Sequence, residues 1–262
     1  MNLFIKGDTM KRKSHNTDTF FTILKSAMNV PGVKIERKEY LKKELIKYFP
    51  ENIVNIAIEK NPAIAGISTD QIEKIAKSSI KYETNKVTTI SAAAGIPGGF
   101  AMIGTIPGDI IQYFAHIIII LQKLIYLYGW KELYNENDEF DDETMNQLTL
   151  FIGVMFGVQS ANTAITKLSG IVAQNIQKSL VNKALTKGTI YPIVKKIAGA
   201  LSIKMTKEIF AKGVGKVVPL IGGAFSGAIT YATFKPSANK LKKHLETLPT
   251  ADPKFYKETT ED

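Results

Sequence analysis

Asp109 is the only acid, and the only charged residue of either sign, between Val87 and Gln122, a run of 36 residues. An ionisable side chain inside so apolar a stretch is costly, which makes it a candidate for chemistry. Gln112, Tyr113, His116 and Lys123 follow it by three, four, seven and fourteen residues. On a helix these offsets fall on one face. A carboxylate and an imidazole on such a face can move a proton or hold a cation. The competing reading is structural. Pro107-Gly108-Asp109 opens a helix, and Asp109 with Gln112 has the spacing of a capping box, in which a carboxylate accepts from a backbone N–H and an amide reaches back. Both roles stay open, and Asp109, Gln112, His116 and Lys123 form the candidate polar face.

Other chemistries find no support. There is no cysteine, which removes disulfides, thiolate metal sites and cysteine nucleophiles. The histidines His15, His116 and His244 are scattered, so no metal site is expected. Gly222-Gly223-Ala224-Phe225-Ser226-Gly227 lacks the Lys and Ser/Thr of a phosphate-binding loop, and Gly213-Val214-Gly215 lacks a third glycine. No Gly-x-Ser-x-Gly nucleophile elbow occurs. The expectation is a protein without catalytic residues and without cofactors.

The elements that must position these residues read as helices throughout. With 262 residues and 45% hydrophobic composition, the chain can bury a large core. Tyr40, Leu41, Leu45, Tyr48 and Phe49 recur at helical spacing after Arg37, and Pro50 and Pro62 bracket a short helix over Glu51–Glu59. Ser68 and Thr69 are suited to cap a long helix carrying Ile72, Ile75, Ala76, Ser79 and Ile80 toward Ala94. Val/Ile/Thr alternation with hairpin turns is missing, so the fold class is all-α, as one domain. Its expected limits are a flexible basic tail over 1–19, the helical domain over 20–248 and a flexible tail over 249–262.

One long apolar run, interrupted only by Lys123, and two uncharged runs stand out. Ile110–Tyr128 is followed by Gly129, a natural helix stop, and by Trp130 and Tyr134. Its 19 residues make a helix of roughly 28 Å, close to a bilayer's hydrocarbon thickness. Leu148–Thr166 and Val217–Phe234 are the others. Glycines four apart, at Gly95/Gly99, Gly104/Gly108, Gly153/Gly157 and Gly223/Gly227, let helix backbones approach closely, in lipid or in a water-soluble core.

The net charge of +10 is arranged in blocks: +6 over 1–48, 0 over 49–130, −6 over 131–166, +9 over 167–216 and +1 beyond. In the fourth block, Lys178, Lys183, Lys187, Lys195, Lys196, Lys204, Lys207 and Lys212 line the polar faces of two amphipathic helices. These lysines suit anionic lipid headgroups, or an ordinary solvated face. Nucleic acid is not the expected partner, because aromatics are not interleaved with the lysines. No secretory signal opens the sequence, which points to the cytoplasmic side.

The order of several motifs resembles the EcsC family of bacterial ABC-exporter-operon proteins. The resemblance rests on Ala94-Gly95-Ile96-Pro97-Gly98-Gly99, on Pro107-Gly108-Asp109 and on Tyr126-Leu127-Tyr128-Gly129. It continues in Val218-Pro219-Leu220-Ile221-Gly222-Gly223 with Gly227 and Tyr231, and covers about residues 35–245; Thr230 stands where the family pattern often has Asn. It implies a helical accessory protein at the inner face of the cytoplasmic membrane, linked to an ABC exporter's function or regulation. Asp109 falls at the family's acidic position. Two further readings remain: an effector that inserts into membranes and oligomerises through its glycine-spaced helices, and a lipid-handling enzyme using Asp109 and His116.

Overall fold

Some helix boundaries in this chain are set by side chains that satisfy the free backbone groups at helix ends, and others by glycines at positive φ. The computed structural model describes residues 20–94, 108–134, 141–174 and 219–258, and over these residues the fold is all-α, without strands. Residues 20–28 form α1. Then come α2 (Arg37–Leu45), α3 (Glu51–Glu59), α4 (Thr69–Ala94), α5 (Gly108–Leu127), α6 (Asp142–Met155), α7 (Gln159–Ala173) and α8 (Pro219–Leu245). A 3-10 turn at Pro249–Ala251 and α9 (Pro253–Glu258) close the described chain.

Ser68 and Gln71 build a capping box ahead of α4. Gln71 N donates to Ser68 Oγ over 3.3 Å, and Ser68 N donates to Gln71 Oε1 over 3.0 Å. Asp141 caps α6, its Oδ1 accepting from Thr144 N at 2.8 Å. At the end of α3 the Arg37 guanidinium donates to the carbonyls of Ile58 at 2.6 Å and of Ala57 and Lys60 at 3.3 Å. It thereby satisfies acceptors that have no partner inside the helix, and a further bond to Trp130 O at 3.0 Å ties that corner to the end of α5.

The apolar stripe of α5 forms the centre of the core. α5 packs against α2, α4, α6 and α8, and Ile117, Ile118, Ile120, Leu121, Leu124 and Ile125 are fully buried. Phe114 meets Phe20 of α1 edge-on and Phe156 in a parallel stack, both with ring centroids 6.4 Å apart. Ile110–Leu127 is the one described segment long and apolar enough to cross a membrane, and 78% of it is buried among the other helices. The same composition that suits lipid here fills a protein core. α5 ends at Gly129, as its sequence predicts. With Gly129 at φ +86°, Trp130 N donates to Ile125 O at 3.0 Å and Gly129 N to Tyr126 O at 3.3 Å, a Schellman motif.

Two expectations are corrected. The uncharged run Leu148–Thr166 is not one helix, because Gly157 ends α6 at φ +75°, with Val158 N donating to Gly153 O at 2.8 Å. Gly153 and Gly157 are therefore not a pair of packing positions on one helix; Gly157 is a stop. The flexible tail expected from residue 249 is instead packed through its first part. Leu248, Thr250 and Ala251 are buried, Thr69 Oγ1 donates to Ala251 O at 3.2 Å, and Asn61 Nδ2 donates to Tyr256 OH at 2.9 Å. The uncharged run ending at Phe234 also continues as helix, through Pro236, to Leu245.

Candidate functional site

The polar residues of α5 meet their partners on α4. Glu83 lies on the α4 stripe that carries Ile72, Ile75, Ala76, Ser79 and Ile80, so helical periodicity turns it into the interior. Its side chain is only 2% exposed. Glu83 Oε1 accepts from Lys123 Nζ at 2.7 Å, and Glu83 Oε2 lies 3.5 Å from His116 Nδ1. His116 and Lys123 are seven residues apart on α5 and so face the same side, toward α4. The Lys123 ammonium sits 5.7 Å from the Tyr40 ring centroid and 5.5 Å from that of Tyr82, near enough for cation–π attraction. Tyr40 OH pairs with Ser79 Oγ at 2.8 Å, which joins α2 to the same cluster.

Burial works to raise the Glu83 pKa, but the contacts with His116 and Lys123, with help from Lys86, outweigh it and hold the carboxyl below its ordinary range. Glu83 is thus ionised at neutral pH and counter-charged by Lys123. Burial pushes the Tyr40 phenol up, so it stays protonated. Glu83 Oε2 and His116 Nδ1 have no close hydrogen-bond partner, and the 3.5 Å between them is a long contact. Both side chains are nearly sealed from solvent.

A second, partly buried network ties α8 to α4. Lys242 Nζ donates to Glu73 Oε1 at 2.8 Å and to Glu246 Oε1 at 2.6 Å, and Tyr128 OH donates to Glu246 Oε1 at 2.8 Å. Hydrogen bonds from Lys242 and Lys77 hold the Glu73 carboxyl down at about 2.

Of the predicted polar face, His116 and Lys123 are brought together by Glu83. Gln112 is half-buried on α5. Asp109 lies inside the first turn of α5, one residue past its start at Gly108, rather than at the cap position. Seven residues of helix place Asp109 and His116 about 10 Å apart along the axis, so the carboxylate against His116 is that of Glu83. Gly108 opens α5, and Gly223 and Gly227 lie within α8. Gly95, Gly99 and Gly104 fall outside the described residues, as do Lys178, Lys183, Lys187, Lys195, Lys196, Lys204, Lys207 and Lys212. Among the described residues no group of three or more histidines and carboxylates could hold a metal ion.

In the sequence Asp109 stands out as a lone charge in an apolar run, whereas Glu83 sits among the lysines of α4 and does not. The signal that locates Glu83 is its register: it follows Ile72, Ile75, Ser79 and Ile80 at helical spacing. Comparison with known protein families, with curated proteins and with solved structures finds no match.

Proposed function

We propose that this chain is a non-enzymatic accessory protein of a bacterial cytoplasmic membrane, working at its cytoplasmic face as a folded peripheral domain. The observation that carries the peripheral form is the enclosure of α5. Its window Ile110–Leu127 is long enough to span, yet it is 78% buried, and its Gln122 and Lys123 side chains are bonded to other elements. Gln122 Nε2 donates to Val33 O at 2.8 Å and Gln122 Oε1 accepts from Ile35 N at 3.0 Å, while Lys123 is bound to Glu83. Moving α5 into lipid strands these groups, and each unsatisfied polar group in hydrocarbon costs several kcal/mol. Membrane contact itself is supported by the +9 block over 167–216 and by the resemblance to the EcsC family, which also suggests an ABC exporter or another membrane protein as partner.

Membrane fractionation of the expressed chain, followed by an alkaline carbonate wash, tests this reading. Pelleting with membranes and release by the wash is the expected result. A chain found wholly in the soluble fraction overturns the membrane assignment. Retention after the wash favours the second reading, an inserting effector, to which the span-length of α5 lends support. That effector also has to leak dye from vesicles, which a peripheral accessory protein does not do.

A further inference from the structure

The outward side of α4 is basic from Lys74 to Lys86. Lys74, Lys77, Lys81, Tyr82 and Lys86 are exposed. Glu83 is the only acid between residues 74 and 90, and it is turned inward onto Lys123 and His116. Burying that carboxylate leaves four ammonium groups and no carboxylate on this part of the helix surface. Just before it, Glu73 is shared between Lys77 and Lys242, both at 2.8 Å. Lys74, Lys77 and Lys81 are spaced by three and four residues and line up along the axis, with Tyr82 and Lys86 flanking them. From Lys74 to Lys86 the stripe is roughly 18 Å long. Tyr82 is 62% exposed and is the one large hydrophobic residue exposed on α4.

We propose that this face of α4 is the surface that docks on anionic lipid headgroups, an inference that rests on the membrane reading above. Its cations are all ammonium groups, which act as point charges and need no directional pairing. Tyr82 beside them is an amphipathic ring of the kind that settles at the headgroup level. Nucleic-acid readers rely instead on the planar fork of Arg and on bases stacked along interleaved aromatics. The stripe carries no arginine and a single ring.

The test is sedimentation of the full chain with vesicles of phosphatidylcholine plus phosphatidylglycerol, and of phosphatidylcholine alone. Two triple variants with the same loss of charge are compared: Lys74→Gln/Lys81→Gln/Lys86→Gln on α4, and Lys38→Gln/Lys42→Gln/Lys43→Gln on α2. All six lysines are exposed, and matching thermal melts verify folding. A lysine near an anionic surface is worth about fivefold in partitioning, so the α4 variant is expected to bind the anionic vesicles roughly a hundredfold more weakly. The α2 variant is expected to stay within a few-fold of the unmodified chain.

Equal binding by the α4 variant and the unmodified chain overturns the docking face and leaves the membrane reading intact. An equal loss in both variants overturns it too, because net charge and not this face then governs binding. If the unmodified chain ignores anionic vesicles, both proposals fall; a shift of duplex DNA under the same conditions then identifies nucleic acid as what the lysines bind.

Discussion

Gly129 joins two parts of the fold that lie far apart in sequence, and replacing it with Ala measures that junction. Two costs arise. The residue sits at φ +86°, where an L side chain meets its own carbonyl, a cost of about 1–2 kcal/mol. Gly66, at φ +80° with nothing within 4 Å of a Cβ placed there, carries that cost alone. At Gly129 a Cβ would lie 2.4 Å from Thr250 O, with Asn61 Nδ2 next at 3.2 Å. Ordinary contact begins at 3.4 Å, so the carbonyl has to retreat by about 1 Å, and overpacking of this kind costs about 1–3 kcal/mol. The loss of unfolded-chain entropy on going from Gly to Ala is common to both sites and cancels in the comparison. Gly129→Ala should therefore destabilise by about 2–4 kcal/mol and Gly66→Ala by about 1 kcal/mol. At roughly 2–4 °C per kcal/mol for a chain of this size, the two melting temperatures should differ by several degrees. Urea unfolding and thermal melts followed by circular dichroism read both. Gly157→Ala, with only Lys240 Nζ near, at 3.8 Å, should group with Gly66→Ala. Equal losses at Gly129 and Gly66 would falsify the packing of the Pro249–Ala251 turn over the end of α5.

Three other outcomes follow from the same contacts. Glu83→Ala strands the Lys123 ammonium beside His116 in the interior and should cost about 3 kcal/mol in urea unfolding. Adding Lys123→Met should restore most of that loss, and a double variant no more stable than Glu83→Ala speaks against the ion pair. The Glu73 carboxyl is depressed from 4.5 to about 2, so the stability it confers is complete above about pH 4.5 and is lost as pH falls toward 2. Melting temperature against pH should show that acid decline, and Lys242→Met should flatten it; an unchanged slope in the variant rules out the Lys242 contact as its source. Ser68→Ala removes one half of the capping box on α4 and should cost about 1 kcal/mol, whereas a neutral substitution places the start of α4 elsewhere.

Local signals in the sequence translate into structure most directly where they act on the backbone itself. Pro50 and Pro62 bracket α3, which runs over Glu51–Glu59 as predicted, because proline interrupts a helix wherever it falls against the register. Gly129 stops α5 for a reason equally local. Gly157 acts by the same mechanism, yet in the sequence its spacing from Gly153 inside one uncharged run reads as a packing pair and not as a stop. Pro236 does not end α8: the helix runs through it, with Phe234, Ala238, Leu241 and Leu245 all buried. The partners of charged residues are less legible still. Arg37 caps α3 across 20 residues or more, and Glu83 reaches Lys123 across 40, separations that no local pattern encodes.

That difference decides how α5 is understood. By length and composition alone, a core helix and a membrane span are the same object, since both must be apolar over about 20 residues. They part over their polar side chains. A span satisfies these within the membrane or at its edges, whereas a core helix hands them to neighbours in the fold. Gln122 bonds to the backbone of Val33 and Ile35, Lys123 to Glu83, and Tyr126 OH to Glu132 Oε1 at 2.5 Å. Val33 and Ile35 lie before α2 and Glu83 on α4, so drawing α5 out breaks the Gln122 and Lys123 contacts together with the packing of its isoleucines. An inserted form, where one exists, starts from a folded state held shut by Glu83 and Gln122. Loosening either contact would then raise insertion while lowering stability, whereas in a protein that stays peripheral only stability falls.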